Sequence, residues 1–335
     1  MTDTAPPPPL SVAMSVYNGE RFLAPAIESV LAQSFTSFEF LILDDGSTDA
    51  SAAIIQRYSA KDSRIRPILR ENRGLVASLN ELLGESRAPL VARMDADDIC
   101  LPDRFAKQIA FLDSHAGHGV VGCWSEDIDE FGEPWPDAGP DQPTDHEDLL
   151  ARARQGRQMM IHPAVMYRRE VVLGVGGYHS AFRHCEDYDL WLRLASTTRM
   201  ANLPERLLRY RHYAGQVSTR HATEQAIGAA VAYEAWLARD AGRPDPTANL
   251  EKLPPVDALD ALFDERGVSS RVRARVAASI QHSQTALRDE GFDILLRHIH
   301  DGGDRSGLWR TAARLVTFGE PARALRLANT LARAR

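Results

Sequence analysis

The chain has 335 residues, 44% of them hydrophobic and 25% charged, with a formal net charge of −7. This is the composition of a globular protein with room for one large domain and an appendage, and it excludes a nucleic-acid binder that works through a basic surface. No apolar run approaches the roughly 18 residues that span a bilayer, and Cys100, Cys123 and Cys185 show no metal or redox spacing, which points to a reducing, cytoplasmic setting.

Residues 1–9, acidic and proline-rich without a basic or apolar leader pattern, read as a disordered tail. A buried strand is expected over 10–16, broken at Tyr17-Asn18-Gly19 before a helix over 22–33. The pattern then repeats. A strand over 38–43 ends in Asp44-Asp45-Gly46-Ser47-Thr48-Asp49 before a helix over 52–58, and a strand over 65–69 ends near Asn72-Arg73-Gly74 before a helix over 75–83. A fourth strand, 89–94, runs into Asp95-Ala96-Asp97-Asp98. Four βα units in succession imply an α/β fold with a doubly wound, mostly parallel sheet.

Parallel strands finish at one edge, and ligands of such sheets sit outside their carboxyl ends. Tyr17, Asp44, Arg73 and the acids at 95, 97 and 98 are therefore expected to converge on one cleft. Asp95 and Asp97, two apart on an extended chain, face the same side while Ala96 faces the core. The strand before them reads as having nothing to satisfy a charge, and carboxylates this crowded raise one another's pKa unless a cation sits among them. Mg²⁺ or Mn²⁺, bound by oxygen alone, is the expected partner. Capping of the next helix, expected over 102–115, by Asp98 or Asp103 accounts for one acid of the three. A ring, an acid, a cation and a metal-binding cluster together suit a nucleotide: ring on the base, acid to a base N–H, cation and metal on the diphosphate. Tyr17-Asn18-Gly19-Glu20 is neither a Gly-x-Gly-x-x-Gly turn nor a P-loop, and Gly174-Val175-Gly176-Gly177 reads as a turn.

Further along come a strand over 119–124, a hairpin or loop over 127–135, and a Pro- and Asp-rich run to Asp145, read as a surface loop or a mobile loop on the acceptor side. Leu190, Trp191 and Leu194 form a buried helical stripe that places Glu186 and Asp187 at the helix entrance, exposed to the cleft. The helix dipole alone would also favour acids there. A strand over 205–208, a helix over 224–241 and short amphipathic helices over 256–335 complete the chain. Its last 31 residues hold seven arginines and one acid, Glu320, with Leu308, Trp309, Leu315, Val316, Leu325, Leu327 and Leu331 as apolar partners. Such a stripe packs on its own domain or lies on an anionic membrane as a peripheral contact.

Val16-Tyr17-Asn18, Asp44-Asp45-Gly46-Ser47-Thr48-Asp49, Asn72-Arg73-Gly74, Asp95-Ala96-Asp97-Asp98 and Glu186-Asp187-Tyr188-Asp189-Leu190-Trp191 stand in the order and spacing of the family 2 glycosyltransferases. The chain resembles that family over residues 10–220. The resemblance implies a GT-A type nucleotide-diphospho-sugar transferase domain over 10–220 and a helical C-terminal region over 221–335. It further implies transfer with inversion and a divalent cation on an Asp-x-Asp motif. Carried over residue by residue, Tyr17 and Asp44 hold the base, Glu20 and Arg73 lie at the nucleotide, Asp95 lies near the ribose, and Asp97 binds the metal. Asp187 matches the position of the base that takes the acceptor hydroxyl's proton, with Glu186 orienting it or contacting the acceptor. His162 resembles part of a strand leading toward the acceptor, and reads equally as a core histidine. The segment 209–218 resembles one that closes over the diphosphate. There Arg211 or His212 pairs with phosphate and His212 is a further metal ligand, the plain alternative being a basic surface loop. The expected donor is a nucleotide-diphospho-sugar, UDP foremost, carrying a hexosyl or N-acetylhexosaminyl group. The expected acceptor is a hydroxyl on a polysaccharide, lipid-linked sugar or protein. Two rivals are a sugar-nucleotide pyrophosphorylase, which would want a glycine-rich basic loop after the first strand, and a catalytically silent nucleotide-binding scaffold, which would not need intact acids at 97 and 187.

Overall fold

The computed structural model describes residues 6–135, 141–213 and 221–334. The chain separates into two compact units, one built from Met1–His179 with Leu190–Tyr213, the other from Ser180–Asp189 with Ala214–Arg335.

The first unit opens as β1 (Leu10–Val16), α1 (Glu20–Leu31), β2 (Phe38–Asp45), α2 (Ser51–Ser59), β3 (Ile65–Arg70), α3 (Leu75–Glu85) and β4 (Leu90–Asp95). After the acid cluster follow β5 (Ile99–Cys100), α4 (Arg104–Ser114), β6 (His118–Ile128), α5 (His146–Arg154), β7 (Met166–Arg168), α6 (Arg169–Gly174), α7 (Glu186–Leu194) and β8 (Arg199–Arg211). The sheet order is β3-β2-β1-β4-β7-β6-β8-β5. From β3 to β4 every pairing is parallel, as the βα repeats predict. Beyond β4 the sheet is mixed: β7 runs against both β4 and β6, β6 and β8 are parallel, and β5 runs against β8. The chain leaves β4 for β5 at the far edge and passes through α4, β6 and α5 before β7 returns against β4, so the βα repeat that keeps neighbouring strands parallel ends at β4.

Alternation along the strands divides the core. Leu10, Val12 and Met14 of β1, Phe38, Phe40 and Ile42 of β2, and Leu90, Ala92 and Met94 of β4 share one cluster with Leu23, Ile27 and Val30 of α1, Ile55 of α2, and Phe105 and Leu112 of α4. The intervening residues turn to the other face, where α3 packs on β1 and β2 with Leu79, Leu82 and Leu83 buried. Helices on both faces make this half a doubly wound sheet whose carboxyl edge carries the polar loops.

The second unit is helical. Besides the first turn of α7 it holds α8 (Ala222–Asp240), α9 (Val268–Ile280), α10 (Gly291–His300), α11 (Leu308–Thr317) and α12 (Pro321–Arg333). α9 packs on α8 and α10, and α11 packs on α12. Of the apolar residues expected along its end, Leu308, Leu315, Leu327 and Leu331 enter the core with Phe292, Leu295 and Ile299. Trp309, Val316 and Leu325 stand in solvent. Among the described residues no helix is long and apolar enough to cross a membrane.

Candidate active site

The loops at the carboxyl ends of β1, β2 and β3 are pinned to one another. Asn18 Oδ1 accepts the Thr48 N–H at 2.8 Å, and the Asn18 N–H donates to Ser47 Oγ at 2.9 Å. Glu20 Oε2 accepts the Ala50 N–H at 2.9 Å, while the Glu20 N–H donates to Asp49 Oδ2 at 3.0 Å. Asp44 is buried and accepts from the Ser47 hydroxyl and, at 3.3 Å, from its N–H. Asp45 pairs with Arg70 and takes the N–H groups of Arg73 and Gly74 at 2.9 and 2.8 Å. Gly46 has φ +75°, and a Cβ there would lie 2.6 Å from the Asn72 nitrogen, so this turn closes on the β3–α3 loop only as glycine. Tyr17, 56% exposed, and the exposed Arg73 thus project from braced loops. Glu20 and Asp44 each commit an oxygen to the bracing. Asn18, Asp45, Ser47 and Asp49 are absent from the expected site residues, although a run of turn formers directly after a buried strand is the signal that marks them.

β4 delivers more than its acids. Arg93 is buried and its guanidinium pairs with Asp95. This corrects the reading of β4 as a strand with nothing to satisfy a charge: two residues apart, Arg93 and Asp95 face the same side, and the strand carries its own cation. The carboxylates of Asp95, Asp97 and Asp98 still place oxygens within 4.8 Å of one another, and Ala96 between them packs against the core. Neither proposed cap forms. Asp103 occupies the N-cap of α4 without a side-chain bond, and Asp98 Oδ1 instead accepts the Arg211 N–H at 2.8 Å. Burial, followed by the charges of Asp97 and Asp95, drives the Asp98 pKa well above the usual carboxyl range. Burial, followed by Asp95, pushes Asp97 up to about 6, opposed by the Tyr213 hydroxyl that donates to its Oδ2 at 3.0 Å. Asp98 Oδ2 is buried without a hydrogen-bond partner. One guanidinium among three acids leaves the group short of positive charge, and an oxygen-only donor set with an orphaned buried oxygen fits a hard divalent cation.

Arg211 is buried, donates through Nε and Nη1 to the carbonyls of Asp97 and Asp129 at 2.8 and 3.0 Å, and lies 4.6 Å over the Phe22 ring. In this conformation it braces the acid loop. His212 is not brought to the acid group: its Nε2 lies 3.3 Å from Asp127 Oδ1 and its ring stacks on Trp135 with centroids 5.0 Å apart. Its neighbour Tyr213, absent from the expected set, reaches Asp97 instead, because successive side chains of an extended segment point to opposite sides. Residues 214–218 of the segment expected to close over the diphosphate lie outside the described residues.

Leu190, Trp191 and Leu194 are fully buried and set Glu186 and Asp187 in the first turn of α7. Asp187 is half-buried, with Oδ1 accepting the Tyr188 N–H at 2.8 Å. Glu186 is only 4% exposed, which departs from the cleft-exposed position expected for it. Four residues before Leu190, it shares that residue's inward face. His162 is a core histidine: its Nε2 lies 3.0 Å from the Tyr178 hydroxyl, and burial, then Arg93, hold its pKa well below the usual imidazole value. Residues 127–135 form a tight hairpin in which Ile128 bridges Pro134 and Asp129 Oδ1 accepts the N–H groups of Phe131 and Glu133 at 2.8 and 2.9 Å. Residues 136–140 of the acceptor-side run lie outside the described residues.

Residues 11–175 match the family profile described as Glycosyl transferase family 2. The chain is 36% identical over 233 residues to "Putative glycosyltransferase EpsE" of Bacillus subtilis (strain 168), covering 68% of this chain and 82% of that one. It is 33% identical over 214 residues to "Amylovoran biosynthesis glycosyltransferase AmsE" of Erwinia amylovora, covering 63% and 79%. Its fold is similar to that of S. aureus TarS 1–349 in complex with UDP-GlcNAc, with a TM-score of 0.57, 16% identity and coverage of 88% and 93%. It is also similar to that of the mannosyltransferase PcManGT from Pyrobaculum calidifontis in complex with GDP-Man and Mn²⁺, with a TM-score of 0.53, 17% identity and coverage of 97% and 88%.

Proposed function

The chain belongs to the family 2 glycosyltransferases, and from that premise we propose that it moves a hexosyl or N-acetylhexosaminyl group with inversion from a UDP-sugar to a hydroxyl on a growing polysaccharide or lipid-linked saccharide. The observation that carries the reading is the acid group at the end of β4, with its orphaned Asp98 oxygen and its Asp97 carboxyl pushed up to about 6. The GT-A fold shared with TarS and PcManGT, whose solved complexes hold a UDP-sugar and a GDP-sugar with Mn²⁺, supports the donor class. The naming of AmsE for amylovoran biosynthesis supports a polysaccharide acceptor.

Asp97, with Asp95 and Asp98 beside it, is the residue to hold Mn²⁺ or Mg²⁺. A divalent ion bound there supplies Lewis-acid stabilisation of the charge that builds on the leaving diphosphate. Tyr17 offers its exposed ring to the base and Asp44 an acceptor for a base N–H, while Glu20 and Arg73 lie at the nucleotide and Asp95 at the ribose. Arg211 or His212 pairs with a diphosphate oxygen on leaving the partners it holds here. Asp187 takes the proton of the attacking hydroxyl as its oxygen bonds to the anomeric carbon and the bond to the diphosphate breaks, and Glu186 in the same turn positions it. Residues 10–220 carry every one of these groups.

A screen of nucleotide sugars tests the reading. A UDP-hexose or UDP-N-acetylhexosamine is expected to raise the melting temperature only with Mn²⁺ or Mg²⁺ present, and to be hydrolysed slowly without an acceptor. Indifference to every nucleotide sugar in both ions would overturn it, and release of pyrophosphate from a nucleoside triphosphate and a sugar phosphate would favour a pyrophosphorylase.

The exposed Trp309 and Val316, seven residues apart on one face of α11, together with Leu325, extend the reading. Flanked by the exposed arginines 310, 326 and 333, they suit peripheral contact with an anionic membrane, where lipid-linked acceptors reside. The protein is expected to sediment with anionic liposomes at low salt and the Trp309→Ser variant less so; no binding by the wild type disposes of the contact.

A further inference from the structure

The second unit holds a set of ligand-type side chains that the transferase reading does not use. His184 lies just before α7, His221 is the N-cap residue of α8, and Glu224 lies in the first turn of α8; two ring nitrogens and a carboxylate oxygen from these three fall within 4.8 Å of one another. The two imidazoles stack with centroids 3.9 Å apart and planes 14° from parallel. His184 Nε2 at 3.3 Å and His221 Nδ1 at 3.2 Å face the same oxygen, Oε2 of Glu224. We propose that His184, His221 and Glu224 form a binding site for a divalent transition metal of the zinc class, distinct from the acid group of β4, which clips the entry of α7 to the start of α8.

An acid in the first turn of a helix is favoured by the dipole and needs no histidines, so the dipole accounts for Glu224 alone. Two imidazoles turned on one carboxylate oxygen gather three ligand atoms at one point, an arrangement that the dipole does not explain. Neutral rings each keep a lone pair for coordination. Around a tetrahedral ion with bonds of about 2.0–2.1 Å, neighbouring ligand atoms sit roughly 3.3–3.4 Å apart. The separations of 3.3 and 3.2 Å to Glu224 Oε2 match that spacing. Two nitrogens and a carboxylate suit Zn²⁺ or Co²⁺ better than Mg²⁺, with water completing the shell. The rings must fan apart for both lone pairs to meet one ion, and among the described residues Glu224 is the only side chain that engages either ring in an ion pair.

The position gives the clip a consequence. Cys185, next to His184, packs so closely on α8 that a Cβ at Gly228 would lie 2.2 Å from its sulfur. A metal on His184 therefore fixes a junction already in contact, two residues ahead of Glu186 and three ahead of Asp187.

The test uses the full-length, tag-free protein in excess Mg²⁺, titrated with Co²⁺ while visible absorption is followed. One equivalent of Co²⁺ is expected to bind with a d–d band that Zn²⁺ displaces and that survives Asp97→Asn. His221→Gln and Glu224→Gln, at partly exposed positions, are each expected to weaken binding by at least about 10-fold with unchanged circular dichroism. No band in the wild type, or unchanged affinity in both variants, overturns the site. Loss of the band in Asp97→Asn but not in His221→Gln assigns the ion to the acid group and overturns it equally.

Discussion

Glu39, buried, and Asp97, partly buried, are both acids of the parallel strands, one at the amino edge and one just past the carboxyl edge, and their surroundings act on them in opposite directions. Glu39, 3% exposed near the start of β2, accepts the Ser11 hydroxyl at 2.6 Å, the Arg87 N–H at 2.8 Å, and the guanidinium groups of Arg66 and Arg87 at 2.7 and 2.8 Å. Burial works to raise its pKa, and those donors together bring it below the ordinary value. Asp97 has one side-chain donor, Tyr213, and acidic neighbours, and its pKa is pushed up by burial and Asp95. Loss of solvation pushes both upward; the supply of donors is what differs. A carboxylate served by four donors completes the fold, whereas one served by a single hydroxyl among other acids is poised for positive charge from outside.

Neutralising acids one at a time is the strongest way to break this contrast. Asp187→Asn is expected to reduce kcat by roughly 10²–10⁴-fold while donor affinity stays unchanged, separating an acid that takes a proton from one that holds an ion. Equal loss of donor binding would contradict its role as base. Asp97→Asn is expected to reduce turnover by about 10²–10³-fold and to remove the Mn²⁺-dependent rise in melting temperature. Unfolding in metal-free buffer should be unchanged or slightly harder, since a like-charge repulsion is gone. Glu39→Gln should do the reverse, costing about 2 kcal/mol in urea unfolding while the folded fraction keeps its turnover. Were Asp97→Asn to unfold the protein and Glu39→Gln to be silent, the distinction by donor supply would be wrong.

The same contrast sets the sign of the pH dependence. Glu39, lowered from 4.5, contributes stability that is present above that value and lost as pH falls through its lower folded pKa. Asp97, raised from 3.8 to about 6, contributes stability that is present below 3.8 and lost as pH rises through about 6. Metal-free melting temperatures should therefore show an acid limb that Glu39→Gln flattens and a decline toward pH 6 that Asp97→Asn flattens. Stabilisation by Mn²⁺ should grow as pH crosses 6, because the ligand must be ionised. Both variants flattening the same limb would refute the assignment.

How far the sequence carries depends on whether a feature is local. The elements from β1 to β4 are legible because β1, β2 and β4, covered on both faces, read as apolar runs between helical patterns, and parallel topology then places Tyr17, Asp44, Arg73 and Asp95 at one edge. Arg93 was within reach of the same two-residue rule that paired Asp95 with Asp97, but one charge inside an apolar run reads as an interruption of the core. The mixed half of the sheet was out of reach, since three residues of β7 are too few to show alternation. Glu39 could not be given its partner before the β1–β2 register set it beside Ser11. Nor does any local pattern say whether His212 or Tyr213 turns toward Asp97, because that depends on the pairing of β6 with β8, whose register shifts around Trp124.

Tyr213→Phe is the mildest change and the finest probe of the contrast. The hydroxyl it removes lowers the Asp97 pKa, so without it Asp97 holds its proton to higher pH. At pH 6 the proton then competes harder with the ion, and Mn²⁺ affinity should fall by about 3-fold, because losing a hydrogen bond of about 1 kcal/mol makes proton release about 5-fold less favourable from a carboxyl already half-protonated at that pH. At pH 8 the carboxylate is ionised in either protein and the difference should shrink toward nothing. Calorimetric titration of Mn²⁺ at the two pH values separates this from a direct role: a loss of equal size at both would mean that the hydroxyl itself ligates the ion or shapes the loop. In that case the single donor of Asp97 belongs to the site's architecture and no longer tunes its proton.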